Sequence, residues 1–417
     1  MDLSDRPAYL VFMTTAPTVR LFDRTTPPHI LTLILLAGIS ALSMSIFLPS
    51  LTAMAAEFGT PYATMQLAVT AYLATTAVIQ IAIGPLSDRY GRRLVTLFSL
   101  GFFVLATVGT VMAQDATTFL IFRILQAAVA SGMVLSRAIV RDMVPAEQAA
   151  SMIGYVTMGM ALVPMIGPTI GGILDQFFGW RASFVFLGLA GAGVFTLAYL
   201  DQGETLQSGG LGFREQLASY PALLGSPRFW GYAICTMFGS GAFFAFLGGA
   251  SFVADKIYGL TPFQSGIALG APAIGYALGN FFAGRYSTRL GIDRMALYGA
   301  IVASTGLGAS LLVSLAGFHT AVLFFAFCTF LGLGNGMLLP NATAGLLSVK
   351  PHLAGTASGL GGALMIGGGA ILSQYAGSLL SVESGAEPLQ WVMLLSSVAS
   401  AVAILFVMYR KRTLGLA

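Results

Sequence analysis

Charge is what this chain has least of. Of its 417 residues only 9% are charged and 56% are hydrophobic, where a soluble domain carries about 25% charged residues. So small a supply excludes a water-compatible surface and leaves lipid as the solvent. Histidine and cysteine are also scarce, at three and two residues. Cys235 and Cys328 fall in apolar runs and read as small buried hydrophobes; neither a disulfide nor a metal site is expected. No nucleophile–base pair, metal cluster or histidine-rich patch argues for an enzyme. No cofactor and no nucleic-acid partner is expected. No cleavable leader is expected: residues 1–29 carry Asp2, Asp5, Arg6, Arg20, Asp23 and Arg24 without a clean apolar core. They read as a cytosolic tail.

What the chain does have is apolar runs of about 20 residues, each long enough to cross the hydrocarbon as a helix. The short alternating segments of a membrane barrel, the other spanning solution, are absent. Spans are expected near 30–54, 64–87, 94–113, 117–140, 150–174 and 181–200. After a polar connection they resume near 229–254, 263–287, 293–316, 319–344, 353–379 and 388–410. The expected architecture is therefore all-α, with a tail (1–29), a six-helix bundle (30–200), a cytosolic linker (201–228), a second six-helix bundle (229–410) and a short tail (411–417). The 51 glycines suit helices packed closely through small residues.

Basic residues orient these spans. With the N-terminus in the cytosol, Arg6, Arg20, Arg24, Arg89, Arg92, Arg93, Arg137 and Arg141 lie inside. So do Arg214, Arg228, Arg285, Arg289, Arg294, Lys350, Arg410, Lys411 and Arg412. Only Arg181 and Lys256 fall outside, and Arg123 lies within a span. Both termini are expected in the cytosol, and an even number of spans follows.

The turn between the second and third spans, Gly84-Pro85-Leu86-Ser87-Asp88-Arg89-Tyr90-Gly91-Arg92-Arg93, returns half a chain later as Gly284-Arg285-Tyr286-Ser287-Thr288-Arg289-Leu290-Gly291. A charged turn echoed in this way points to a transporter built from two related halves. Gly84 and Gly91 permit tight turning and close backbone approach.

These residues resemble the major facilitator superfamily, and within it the twelve-helix drug:proton antiporters of the Bcr/CflA type. Gly84 to Arg93 matches the superfamily's signature loop. Arg123-Ile124-Leu125-Gln126 matches an arginine–glutamine motif in the fourth helix, and Ser136 to Asp142 resembles the end of that helix. Gly159 with Gly167-Pro168-Thr169-Ile170-Gly171-Gly172 looks like the fifth-helix motif of antiporters, and Phe47-Leu48-Pro49 is also family-like. The resemblance implies a multidrug efflux transporter in a bacterial inner membrane, working by alternating access on small apolar compounds or antibiotics in exchange for protons, as a monomer. A metabolite exporter or an uncoupled facilitator is the alternative; a receptor is remote.

The resemblance also implies an ion-pair latch of Asp88, Arg92 and Asp142, with Gly84, Arg89, Gly91 and Arg93 around it, favouring the outward-open state and releasing on inward opening. Thr288 replaces Asp88 in the second copy, so one strong latch is expected. Membrane topology alone would also account for three arginines here. Arg123 is costly in a span and so a functional candidate. With Gln126 on the same helix face it either lines the central cavity or bonds to neighbouring carbonyls as structural glue. Gly159, Gly167, Pro168, Gly171 and Gly172 would seal and flex the interface between halves. Ser45, Phe244, Asn280, Asn335 and Asn341 complete the expected substrate site; Asn335 is favoured because glycines flank it.

One departure matters. Bcr/CflA-type members commonly carry an acid before the Leu-Pro pair of the first helix, where this chain has Ser45. All sixteen acids fall in tails, loops or span ends, so coupling would use Asp88, Asp142 or another end-of-helix acid.

Overall fold

A computed structural model describes residues 19–144, 146–206, 221, 223–350 and 353–415. Eleven helices among the described residues are long and apolar enough to cross a membrane. They are α1 (Ile30–Glu57), α2 (Tyr62–Tyr90), α3 (Arg92–Met112), α4 (Ala116–Met143), α6 (Arg181–Asp201), α7 (Pro227–Ile257), α8 (Pro262–Leu290), α9 (Ile292–Leu315), α10 (Ala321–Ser348), α11 (Thr356–Ser378) and α12 (Glu387–Thr413). Between α4 and α6 runs α5, Ala146–Phe178, of 33 residues. It must cross too, because α4 ends and α6 begins on opposite faces of the molecule. The α6 start, Arg181, bonds to the Ala113 carbonyl after α3; the α4 end, Asp142, bonds to Arg92 at the start of α3.

The helices start where capping chemistry allows. Asp115 accepts the Thr118 N–H at the head of α4 at 2.9 Å. Its carboxyl is held below the usual carboxylate range, first by that backbone bond and then by the Thr118 hydroxyl. Thr261 and Gln264 form a reciprocal capping box at the head of α8. Proline and local rewinding mark the breaks: a 3₁₀ turn Leu48–Ser50 at Pro49 in α1, another at Ala127–Ala130 in α4, and a π turn closing α7. Large apolar side chains such as Phe98 (72% exposed) and Val322 (78% exposed) stand on the outside, as a lipid-facing surface requires.

Within the first bundle α1 packs on α5 and α3 on α4 and α6; within the second, α8 and α9 pack on α10, and α7 on α11 and α12. The α8–α10 contact shows what glycine does here. Gly275 and Gly332 bring the two backbones so close that a Cβ on either would collide with a carbonyl of the other helix.

The end of α6 defines one face. Buried Asp201 accepts the N–H of Phe22 at 2.9 Å, the N–H of His29 at 2.8 Å and the Thr32 hydroxyl at 2.6 Å. We call this the termini face and the opposite one the far face. Toward the far face a single apolar core runs through both bundles, from Phe47, Met54 and Phe119 to Phe246, Phe325 and Leu389. Toward the termini face the core divides. Leu33, Ile83, Val95 and Ile139 form one cluster; Phe229, Tyr232, Leu346 and Ile404 form another. Among the described residues the bundles are thus fused at one face and separately packed at the other.

Candidate functional site

The signature stretch is mostly helix. Gly84 to Tyr90 are the last turns of α2, Arg92 opens α3, and Gly91 alone breaks the run. Its φ of 94° is open to glycine and strained for other residues. Gly84 does not supply close approach: nothing stands within 4 Å of where its Cβ would be. Arg92, 6% exposed, is the hub. Its Nε donates to Asp142 Oδ2 at 2.9 Å and its Nη1 donates to Ser87 Oγ at 2.5 Å. The same Nη1 stands 2.5 Å from Asp88 Oδ1, outside hydrogen-bond direction. Arg89 lies over the Tyr90 ring at 5.3 Å, and Arg93 donates to the Tyr199 carbonyl at 2.9 Å. All these partners belong to one bundle. The triad therefore closes without help from the other bundle, and it is closed here although the core is divided at this face.

Arg123 is 1% exposed, and four of its five N–H donors are bonded. Nε donates to the Ala68 carbonyl at 3.2 Å. Nη1 donates to Ser43 Oγ at 3.0 Å and to Gln126 Oε1 at 2.9 Å. Nη2 donates to the Ser43 carbonyl at 2.6 Å. Phe47 and Tyr72 approach its guanidinium at 4.3 and 4.1 Å, a cation–π contact at each ring. Gln126 passes the network on to Thr107 at 2.8 Å. Such an arginine ties α1, α2, α3 and α4 together, which is the glue arrangement.

The far-face seam is built from close approach and backbone acceptors. A Cβ on Gly171 would collide with the Ile46 carbonyl, and one on Gly172 with the Pro262 carbonyl of α8; Gly266 of α8 sits under the Pro168 carbonyl. Ser45, 1% exposed, lies against Gly167, so α5 occupies the room a helix-1 acid would need. Between bundles, the Tyr62 hydroxyl donates to the Gly248 carbonyl at 2.8 Å. Gln66 donates to the Ser373 carbonyl at 2.6 Å, the Thr70 hydroxyl to Gln374 at 2.9 Å, and Ser251 to the Leu48 carbonyl at 2.5 Å. Gly159 lies within α5.

A profile of the Major Facilitator Superfamily matches residues 33–373. The chain belongs to the Major Facilitator Superfamily. A chloramphenicol resistance protein of Pseudomonas aeruginosa is 31% identical over 78% of this chain and 79% of its own. Multidrug resistance protein D of Escherichia coli (strain K12) is 29% identical over 85% and 90%. Among solved structures, a D-xylose–proton symporter superposes with a TM-score of 0.73 at 14% identity, covering 91% of this chain and 96% of that one. An inward-facing, unoccupied bacterial homologue of the human lysosomal transporter Spinster gives 0.71 at 16%, covering 92% and 96%. At these identities the two structures bear on the fold alone.

As a superfamily member the chain departs from several sequence expectations. Asn335, 4% exposed, has no room around it, because Gly334 and Gly336 are filled by the backbones of α9 and α8. Asn341 and Asn280 bond to their own helices, through the Met337 and Tyr276 carbonyls at 2.8 Å. Phe244 packs on Gly369 of α11. None of these four shares a partner with Arg123. Three acids have partners that the sequence did not assign to them. Glu204 accepts the N–H groups of Arg92 at 2.9 Å and Arg93 at 3.2 Å, placing a carboxylate on the positive end of α3. Asp201 anchors the N-terminal segment. Asp293 takes the Tyr232 hydroxyl at 2.5 Å and Lys411 at 2.6 Å, so the second bundle has an ionic tie after all. A carboxylate in the first turn of α9, just after Gly291, was the available signal for it. Among the described residues no group of His, Cys, Asp and Glu gathers as metal ligands would.

Proposed function

We propose that this chain is a secondary active efflux transporter that expels small apolar compounds and antibiotics, chloramphenicol among them, across a bacterial inner membrane. The termini face is cytosolic, and the chain works as a monomer by alternating access in exchange for protons. The observation that carries this reading is the divided core: one apolar core joins both bundles at the far face, and two separate ones remain at the termini face. Such a molecule is sealed to the outside and has its cytosolic halves free to part, the state in which an exporter loads. The relatives named for chloramphenicol and multidrug resistance support the substrate class.

The mechanism follows from the seam. Among the described residues its inter-bundle bonds are few, end largely on backbone carbonyls and carry no ion pair, so a modest free energy of substrate binding suffices to exchange them. The Asp88–Arg92–Asp142 triad, backed by Glu204, holds the α2–α3–α4 ends as one rigid unit. Arg123 positions the first-bundle helices that border the substrate path. Asp88 and Asp142 remain the acids proposed for proton coupling.

The test is expression in a drug-susceptible bacterium. Chloramphenicol tolerance rises and cellular drug accumulation falls; Asp142→Asn and Asp88→Asn, at normal membrane abundance, remove most of that effect. Unchanged accumulation with abundant wild-type protein would refute the substrate class.

A further inference from the structure

The far-face seam contains one carboxylate with no role so far. Asp175 lies one turn beyond Gly171 in α5. Gly171 touches the α1 backbone and Gly172 the α8 backbone, and helical periodicity places Asp175 over the same cleft. It is partly buried. Its Oδ2 is buried and receives no hydrogen bond, and the Ser50 hydroxyl of the 3₁₀ turn in α1 is buried and unbonded as well. Ser50 is the polar neighbour of this carboxyl, approaching it without closing a bond of normal geometry.

Among the described residues no charged group near it is free to pair with it. On α1, Glu57 is held by Trp180 at 2.7 Å and by Arg181. Arg181 is the basic group at that end of α6 and is committed to Glu57 and the Ala113 carbonyl. The first two turns of α8, Pro262–Leu269, carry no titratable residue. At the end of α7, Asp255 pairs with Lys256 at 3.1 Å. An ionised carboxylate with a buried, undonated oxygen is unfavourable. The Ser50 hydroxyl can donate to the ionised carboxylate or accept the O–H of the neutral one, and exclusion of water from the buried Oδ2 tips the pair toward the neutral form. When α1, α5 and α8 part, water solvates the carboxylate and the proton is no longer needed.

We propose that Asp175 is the proton-binding residue of the far-face gate, neutral when the gate is closed and ionised when it is open. Ser50 is its positioning partner. One proton is taken up on closure and returned on opening, and acid on that side favours the closed gate. The inference rests on the alternating-access reading but not on proton antiport, because this proton need not cross.

The test uses the full chain in lipid nanodiscs with spin labels at Ala56→Cys on the first bundle and Glu383→Cys on the second. Both sites are exposed, while Cys235 and Cys328 are buried. Pulsed dipolar distances are recorded from pH 5 to pH 8. A single linked proton changes the open-to-closed ratio by up to about tenfold per pH unit, so the short distance should gain population as pH falls. Asp175→Asn should hold the short distance at every pH, and Asp175→Glu should restore the pH response and show that the site folds. If Asp175→Asn keeps the wild-type response, the assignment of Asp175 is wrong. If a single distance persists at every pH and with chloramphenicol present, alternating access itself fails.

Discussion

At the scale of single residues, Arg123 and Arg92 are buried cations solved in different ways. Arg123 uses hydroxyl, amide and carbonyl acceptors and two aromatic faces, with no carboxylate, so its charge is delocalised over neutral groups of α1, α2 and α4. Removing it leaves these acceptors unbonded. Arg123→Ala should cost about 3 kcal/mol and appear as a lower thermal midpoint in detergent; Ser43→Ala, which deletes one acceptor, should cost about 1–2 kcal/mol. A melt unchanged by Arg123→Ala would contradict the glue role. Arg92 is paired with two acids, and Arg92→Ala should cost about 3–5 kcal/mol, because the carboxylates then repel across the gap it leaves. The importance of both arginines was legible in the sequence, since charge in so apolar a chain must have a use. Their partners were not. Ser43 and Ala68 have nothing distinctive about them, and Glu204 lies 112 positions from Arg92.

At the scale of elements, glycines that look alike in sequence do opposite things. Gly171 faces the Ile46 carbonyl and Gly84 faces open space. Gly171→Ala should prevent closure of the far face and sharply reduce efflux at unchanged expression. Gly84→Ala, within a helix, should be neutral or stabilising by about 0.5–1 kcal/mol, with transport retained; measured together they separate a seam glycine from a spacer. Glu204→Gln should weaken the cap on α3 by about 1 kcal/mol, read as a lower thermal midpoint that moderate salt reproduces in the wild type. Helix positions were readable from apolar runs to within a few residues, and the repeat of Gly91 at Gly291 marked two helix breaks, at φ of 94° and 85°. The room expected around Asn335 was misjudged, because glycine beside a polar residue in a membrane span invites a neighbouring helix as readily as a ligand.

At the scale of the whole molecule, two bundles related in sequence are tied internally by charge and to each other mostly by neutral hydrogen bonds and close backbone contact. Asp201, the Arg92 triad and Asp293–Lys411 all stiffen a bundle from within at the termini face. The far face, by contrast, carries Tyr62, Gln66, Thr70 and Ser251 across the divide. Strong ties inside bundles and weaker ones between them are what rigid-body rocking requires. The sequence could announce two halves but not which face is sealed, since that depends on inter-bundle contacts made by ordinary side chains.

The most direct test of the account is simultaneous recording of chloramphenicol and proton movement in proteoliposomes containing the purified protein, with a pH dye inside. The account predicts that an imposed pH gradient drives chloramphenicol above its equilibrium level, with protons moving in the opposite direction. Chloramphenicol that merely equilibrates, with no accompanying proton flux, would contradict it and leave a facilitator in its place.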